Sequence, residues 1–170
     1  MAEDQSYLRV KKFFFLFIFI LSFSKANSEN FKFLKIANLN NPWGSSFLNN
    51  DEMIITEKSG IIKIVNIINN QVNDVEHNLN FLEDGQGGLL DILHQENKVW
   101  ISYTENRGNR KTSTSIALAN LDKKNLVFKN IFQANPPIDS GYHFGSRLAI
   151  KGNYLYASAG ERGKGMIAQD

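Results

Sequence analysis

The run GYHFGSRLAI, residues 141–150, sets His143 between Gly141 and Gly145 with Arg147 four residues on. A lone imidazole titrates near neutral pH, so it is suited to taking or giving a proton. A hydrogen-bonded structural histidine is the competing reading. A second cluster, DGQGGLLDI (84–92), holds Gln86 among glycines, where a carboxamide can donate to carbonyl or carboxylate oxygens. A third, GERGKGMIAQD (160–170), carries Glu161 and Gln169, and a fourth, NPWGSSFL (41–48), carries Trp43. The glycines around His143 and Gln86 read as bare loop, leaving room for a ligand to approach. Asp91 follows the apolar pair Leu89-Leu90 and reads as a structural hydrogen-bond acceptor. Trp43 reads as a packing residue.

The elements that must hold these clusters are strands. EMIITEKSGIIKIVNI (52–67) is two β-branched runs around Lys58-Ser59-Gly60, a hairpin signal. KVWISYTENRG (98–108) alternates Val99, Ile101 and Tyr103 against Trp100, Ser102 and Thr104. TSTSIALANL (112–121) and NLVFKNIF (125–132) predict a strand–turn–strand around Asp122-Lys123-Lys124. RLAIKGNYLYASAGERG (147–163) predicts a hairpin turning at Lys151-Gly152-Asn153. No segment keeps a helical period.

Three of these strands share one shape. MIITEKSG, VWISYTENRG and YLYASAGERG each run from alternating apolar residues through polar ones into a glycine. The closing glycines, Gly60, Gly108 and Gly163, are 48 and 55 residues apart. A period of about 50 residues with several strands per unit lies in the β-propeller range, and a meandering sandwich is the alternative. Residues 40–170 hold about two blades and the start of a third. A propeller must close its ring to protect its edges. The expectation is therefore an all-β chain forming the N-terminal part of a longer propeller.

Charge and the N-terminus bound the setting. The net charge is +2. Arg9, Lys11, Lys12 and Lys25 face Glu3 and Asp4 in the first 28 residues, and from Glu29 on 15 basic residues meet 15 acidic ones. No basic stripe collects phosphates, which argues against nucleic acid as a partner. Arg9, Lys11 and Lys12 precede the apolar run Phe13 to Phe23, which is half the length of the ~20 residues a bilayer span needs. Small-residue sites follow after Ala26 and after Ser28. Residues 1–28 thus read as a secretory signal peptide, with an uncleaved anchor as the alternative, and residues 29–170 as the exported domain. The expected location is periplasmic or secreted. With no cysteine, an exported fold relies on packing alone.

GQGGLLD, HFGSRL and AQD, in this order and spacing, resemble the soluble pyrroloquinoline-quinone-dependent sugar dehydrogenases. These form the glucose/sorbosone dehydrogenase family, and the aldose sugar dehydrogenase branch is the nearest. The resemblance covers Leu39 to the end. It implies a six-bladed β-propeller that oxidises the C1 hydroxyl of aldose sugars to lactones. It implies His143 as the general base and Glu161 as the carboxylate that fixes the imidazole's tautomer. It implies Gln86 as a contact to pyrroloquinoline quinone, with Arg147 and Gln169 as weaker cofactor-binding candidates, since a tricarboxylate wants cations and donors. Calcium is implied too, with ligands outside these residues; no metal ligand is assigned within them. The implied partners are the sugar and an external electron acceptor, and a homodimer of the full-length protein is one assembly the family allows. Tyr142 departs from the polar residue the family commonly carries before its histidine, which bears on the shape of the substrate pocket. Two other readings stay open: a non-catalytic propeller binding carbohydrate or protein, and a metal-dependent lactonase-type propeller.

Overall fold

A computed structural model describes residues 31–165. The proposed signal peptide and Gln169 lie outside the described residues. All strands belong to the unit that begins at Ile36. They are β1 (Pro42–Phe47), β2 (Glu52–Glu57), β3 (Ile61–Asn66), β4 (Val72–His77), β5 (Leu89–Gln95), β6 (Lys98–Asn106), β7 (Thr112–Asn120), β8 (Asn125–Leu126), β9 (Lys129–Gln133), β10 (Gly145–Lys151) and β11 (Tyr154–Ala159). There is no helix among the described residues. The strands form three sheets in sequence order: β1-β2-β3-β4-β8, then β5-β6-β7-β9, then β10-β11.

Alternation explains the core. In β3, Ile62 and Ile64 point inward while Lys63 points out to pair with Asp74 at 2.6 Å. Strand β6 is buried on both faces. Its apolar side, Val99, Ile101 and Tyr103, joins Ile54, Ile62, Leu89 and Ile92 in one cluster spanning the first two sheets. Its other side carries Ser102 and Thr104, both fully buried. β-Branched and aromatic residues suit such a surface because they pack well on a pleat.

The segment after β7 departs from the expected strand–turn–strand. Asp122 accepts the N–H groups of Lys124 and Asn125 and turns the chain away from its own sheet. β8 then pairs parallel to β4 on the first sheet before β9 returns to β7. The physical reason is burial: Leu126 and Phe128 both enter the core cluster, which a plain hairpin would leave beyond reach. The detour also covers the outer edge of the first sheet.

The three sheets share a device that the sequence does not announce. Each first strand breaks register against its second strand: between Pro42 and Ser45, between Leu89 and Ile92, and between Gly145 and Leu148. A bulge of this kind leaves a backbone N–H without a ladder partner. A hydroxyl on the second strand takes each one: Thr56 from Gly44 (2.9 Å), Ser102 from Asp91 (3.0 Å) and Ser158 from Arg147 (3.0 Å). Thr56 then donates to Leu90 of the next sheet (2.5 Å), and Ser102 donates to Ser146 of the one after (2.6 Å). First strands of neighbouring sheets thereby approach closely. A methyl group at Gly44 would lie 2.7 Å from the Asp91 Cα, so only glycine fits there.

Asp91 reinforces the second of these joints. It is 6% exposed, and its carboxylate accepts the Leu148 N–H (2.8 Å) and the Arg147 guanidinium (3.2 Å). Asp91→Ala leaves a buried N–H unpaired and is expected to cost about 1–3 kcal/mol. Arg147 is largely exposed, so Arg147→Ala should stay within about 1 kcal/mol of the parent. Urea unfolding of the two variants checks the ordering.

The third sheet has two strands among the described residues, and Tyr154 and Tyr156 on β11 are exposed, as are Ile131 and Phe132 on β9. Exposed aromatic residues beside a strand edge with no partner among the described residues favour association. Residues 29–170 expressed by themselves are expected to self-associate, as size-exclusion chromatography with light scattering will show. A compact monomer would contradict this.

Candidate functional site

In an antiparallel pair, the start of one strand lies beside the end of the other. The loops before β5 and β10 and the loop after β11 therefore come together at the same end of the sheets. Gln86 stands three residues before β5, His143 two before β10 and Glu161 two after β11. The structure brings these three expected site residues into one hydrogen-bonded group.

The loops are locked to one another through backbone. Gln86 N–H donates to the Gly141 carbonyl at 2.7 Å, and His143 N–H donates to the Gln86 side-chain Oε1 at 2.9 Å. His143 Nδ1 contacts Glu161 Oε1, which also accepts the Gly163 N–H at 3.2 Å. His143 has φ 51°, an uncommon conformation for a non-glycine residue. It is over-determined by these contacts at its amide, its ring and its carbonyl, since the Arg162 N–H donates to the His143 carbonyl at 3.4 Å.

Two glycines beside the site are required by backbone contact. A methyl group on Gly85 would lie 2.4 Å from the Gly141 carbonyl oxygen, and one on Gly160 would lie 2.0 Å from the His143 carbonyl oxygen. These positions admit no side chain because two backbones touch there. They let the loops lie in contact with one another.

The electrostatics assign the protons. The hydrogen bond from His143 holds the Glu161 carboxyl below its ordinary range, so it is ionised at neutral pH and can only accept. The neutral imidazole therefore carries its proton on Nδ1, leaving the Nε2 lone pair free. Among the described residues Nε2 has no hydrogen-bond partner, and the His143 side chain is about half exposed (54%). Gln86 is exposed too. Its Oε1 accepts the His143 N–H, and its NH2 group makes no hydrogen bond among the described residues.

Arg147 and Trp43 do not join this group. Arg147 pairs with Asp91, and both line a small cavity with Trp43, Gly145 and Ser146. Trp43, expected to pack, is 51% exposed at that cavity. Asp91 is a structural acceptor, as its place in the sequence led us to expect. Gln169 lies outside the described residues.

Sequence reasoning missed Arg162. A cation beside glycine in GERG reads as a solvated turn, yet Arg162 is 6% exposed. Burial pushes its pKa down to about 10, so it stays charged at neutral pH. Among the described residues its guanidinium meets backbone carbonyls, one hydroxyl and the face of Phe144. Nothing in the local sequence signals this, because its partners Thr112, Ser140 and Tyr142 come from two distant segments.

Comparison with known proteins bears on this arrangement. The family model for Glucose / Sorbosone dehydrogenase matches residues 39–170. Aldose sugar dehydrogenase YliI of Escherichia coli (strain K12) is 30% identical over 142 residues, covering 78% of this chain and 38% of that protein. The crystal structure of the soluble aldose sugar dehydrogenase from Escherichia coli, in its apo form, superposes with a TM-score of 0.69 at 28% identity, over 74% of this chain and 39% of that one. The PQQ-bound aldose sugar dehydrogenase of Streptomyces coelicolor superposes with a TM-score of 0.70 at 23% identity, over 82% of this chain and 44% of that one, a likeness of fold alone. The chain thus spans about two fifths of the length of these relatives. Like these structures in fold, the described residues are all-β and fall into consecutive sheets. Since the family model takes in every strand and all three residues of the His143 group, the chain belongs to the glucose/sorbosone dehydrogenase family.

Proposed function

We propose that the whole protein is an exported quinoprotein dehydrogenase, a six-bladed propeller that oxidises the C1 hydroxyl of aldose sugars to lactones. The observation that supports this reading is the His143–Glu161 pair: a half-exposed imidazole with Nδ1 committed to a carboxylate and Nε2 without a partner among the described residues. Oxidation of a sugar hydroxyl to a carbonyl needs the hydroxyl proton removed as a hydride leaves the same carbon. Nε2 of His143 takes that proton, and Glu161 stabilises the imidazolium that results. The residues present fit pyrroloquinoline quinone in kind. The NH2 group of Gln86 can donate to its oxygens, whereas the Arg147 guanidinium is paired with Asp91. The chemistry that the quinone supplies when bound is hydride acceptance. The described residues offer no group of three or more His, Cys, Asp or Glu side chains for calcium, and the family's calcium would draw its ligands from elsewhere. A quinone held there would need an external electron acceptor to be re-oxidised, and the periplasm or the exterior is the setting that the leader-like N-terminus supports.

Two measurements test the reading. In the whole protein supplied with quinone and calcium, His143→Ala is expected to lower dye-linked sugar oxidation ~10²–10⁴-fold while quinone binding is kept. A variant oxidising sugar at the parent rate would remove His143 from the chemistry. Loss of quinone binding instead would make it a cofactor ligand. A parent protein that binds sugar without oxidising it would favour the carbohydrate-binding propeller.

The second measurement concerns Glu161 itself. Its hydrogen bond with His143 is the largest cause of its lowered pKa, so the carboxylate should stay ionised as the pH falls through the ordinary value of 4.5. A depressed pKa means that the stabilisation it gives is present above that value and lost as pH falls through the folded-state pKa. Carbon-13 NMR of the Glu161 carboxyl should show a midpoint below 4.5, moving back up toward it in His143→Ala. An unchanged midpoint would mean that the pair is not formed in solution.

A further inference from the structure

We propose that Arg162 is a positioning residue for His143, an inference that rests on His143 being the base named above. The guanidinium acts on both sequence neighbours of the histidine. Its Nε donates to the Tyr142 carbonyl at 3.1 Å, and its Cζ lies 3.7 Å from the centre of the Phe144 ring. Its Nη2 also reaches the Ser140 carbonyl. The other side of the fork is anchored in β7: Nη1 donates to the Thr112 carbonyl at 3.2 Å, and Nη2 donates to Thr112 Oγ1 at 2.7 Å. One planar group thus ties the segment 140–144 to a strand of the neighbouring sheet.

The backbone of Arg162 completes the clasp. Its N–H donates to the His143 carbonyl, and its carbonyl accepts from Ser140 Oγ at 2.7 Å. Arg162 itself sits at φ 56°. Glu161 precedes it directly, so a single residue fixes both members of the pair: the carboxylate by covalent adjacency, the imidazole through its flanking residues. The chemistry requires arginine. Four acceptor atoms from two separate segments, with an aromatic face below, match a rigid fork of five N–H donors. A lysine offers a point charge with three donors and no plane. Burial makes these bonds consequential, because carbonyls left unpaired away from water are costly.

The test compares Arg162→Lys with the parent in the whole protein. Displacing a reacting group by about 1 Å can cost on the order of 10²-fold in rate. Arg162→Lys is therefore expected to lower kcat per bound quinone roughly 10–100-fold. KM for the sugar and quinone affinity should change far less. In nitrogen-15 histidine NMR, the parent should show His143 protonated at Nδ1, and Arg162→Lys should show that tautomer mixing with the Nε2-protonated one. A purely structural role would reduce the yield of folded protein but leave kcat per bound quinone and the tautomer unchanged, and that result overturns the proposal. Should Arg162→Lys not fold, Thr112→Val decides: it removes one anchor of the fork at nearly constant volume, and the same two readouts should move in the same direction by less. If Thr112→Val moves neither, the proposal fails. If the parent oxidises no sugar, the dehydrogenase reading fails, and the tautomer measurement alone then decides whether Arg162 positions the ring.

Discussion

The architecture depends on what happens to one backbone N–H in each sheet. The first strand of each sheet bulges against the second, and the bulge strips an amide of its ladder partner. Thr56, Ser102 and Ser158 supply the missing acceptor, and the first two pass their own protons to a carbonyl of the next sheet. A buried hydroxyl with both roles filled carries little penalty, whereas an orphaned amide in the same place would carry a large one. The stitch is therefore strongly favoured, and it sets the distance between neighbouring first strands. Asp91 tightens the same joint with a carboxylate that reaches β10.

Because the bulges sit near the starts of the first strands, they also govern where the preceding loops go. Gln86 and His143 lie just upstream of two of them, and the loops bearing these residues touch backbone to backbone at Gly85 and Gly141. Glu161 enters from the end of β11, beside the start of β10. The site is thus assembled from three loops that are rigid because the strands beneath them are stitched. His143 occupies a backbone conformation that a free loop would rarely hold, and it does so because its amide, ring and carbonyl are each engaged.

Charge in the site is arranged in two layers. The exposed layer pairs an imidazole with an ionised carboxylate, an arrangement suited to accepting a proton at the far ring nitrogen. Beneath it lies the buried guanidinium of Arg162, surrounded by oxygens and an aromatic face. A desolvated cation so placed favours one geometry of its neighbours strongly, since any looser arrangement leaves both the charge and the carbonyls without partners.

Much was legible in the sequence. The local apolar pattern located β2, β3, β6, β7, β10 and β11, because half-buried strands must alternate, while β1, β4 and β5 were not assigned. The recurrence ending in Gly60, Gly108 and Gly163 marked the second strands of three consecutive sheets, since each repeats the same local job. His143 stood out by its residue type and flanking glycines, whereas the roles of Gln86 and Glu161 came from the resemblance of their motifs to the family. The sequence could not show that Leu126 leaves its hairpin for the first sheet, because burial across sheets has no local period. It could not show that Gly85 and Gly160 meet the backbone of Gly141 and His143. Nor could it show that Arg162 is buried. Its environment is made by Thr112, Ser140, Tyr142 and Phe144, and only the packing of one sheet on the next brings a residue 50 positions away, Thr112, within hydrogen-bonding distance.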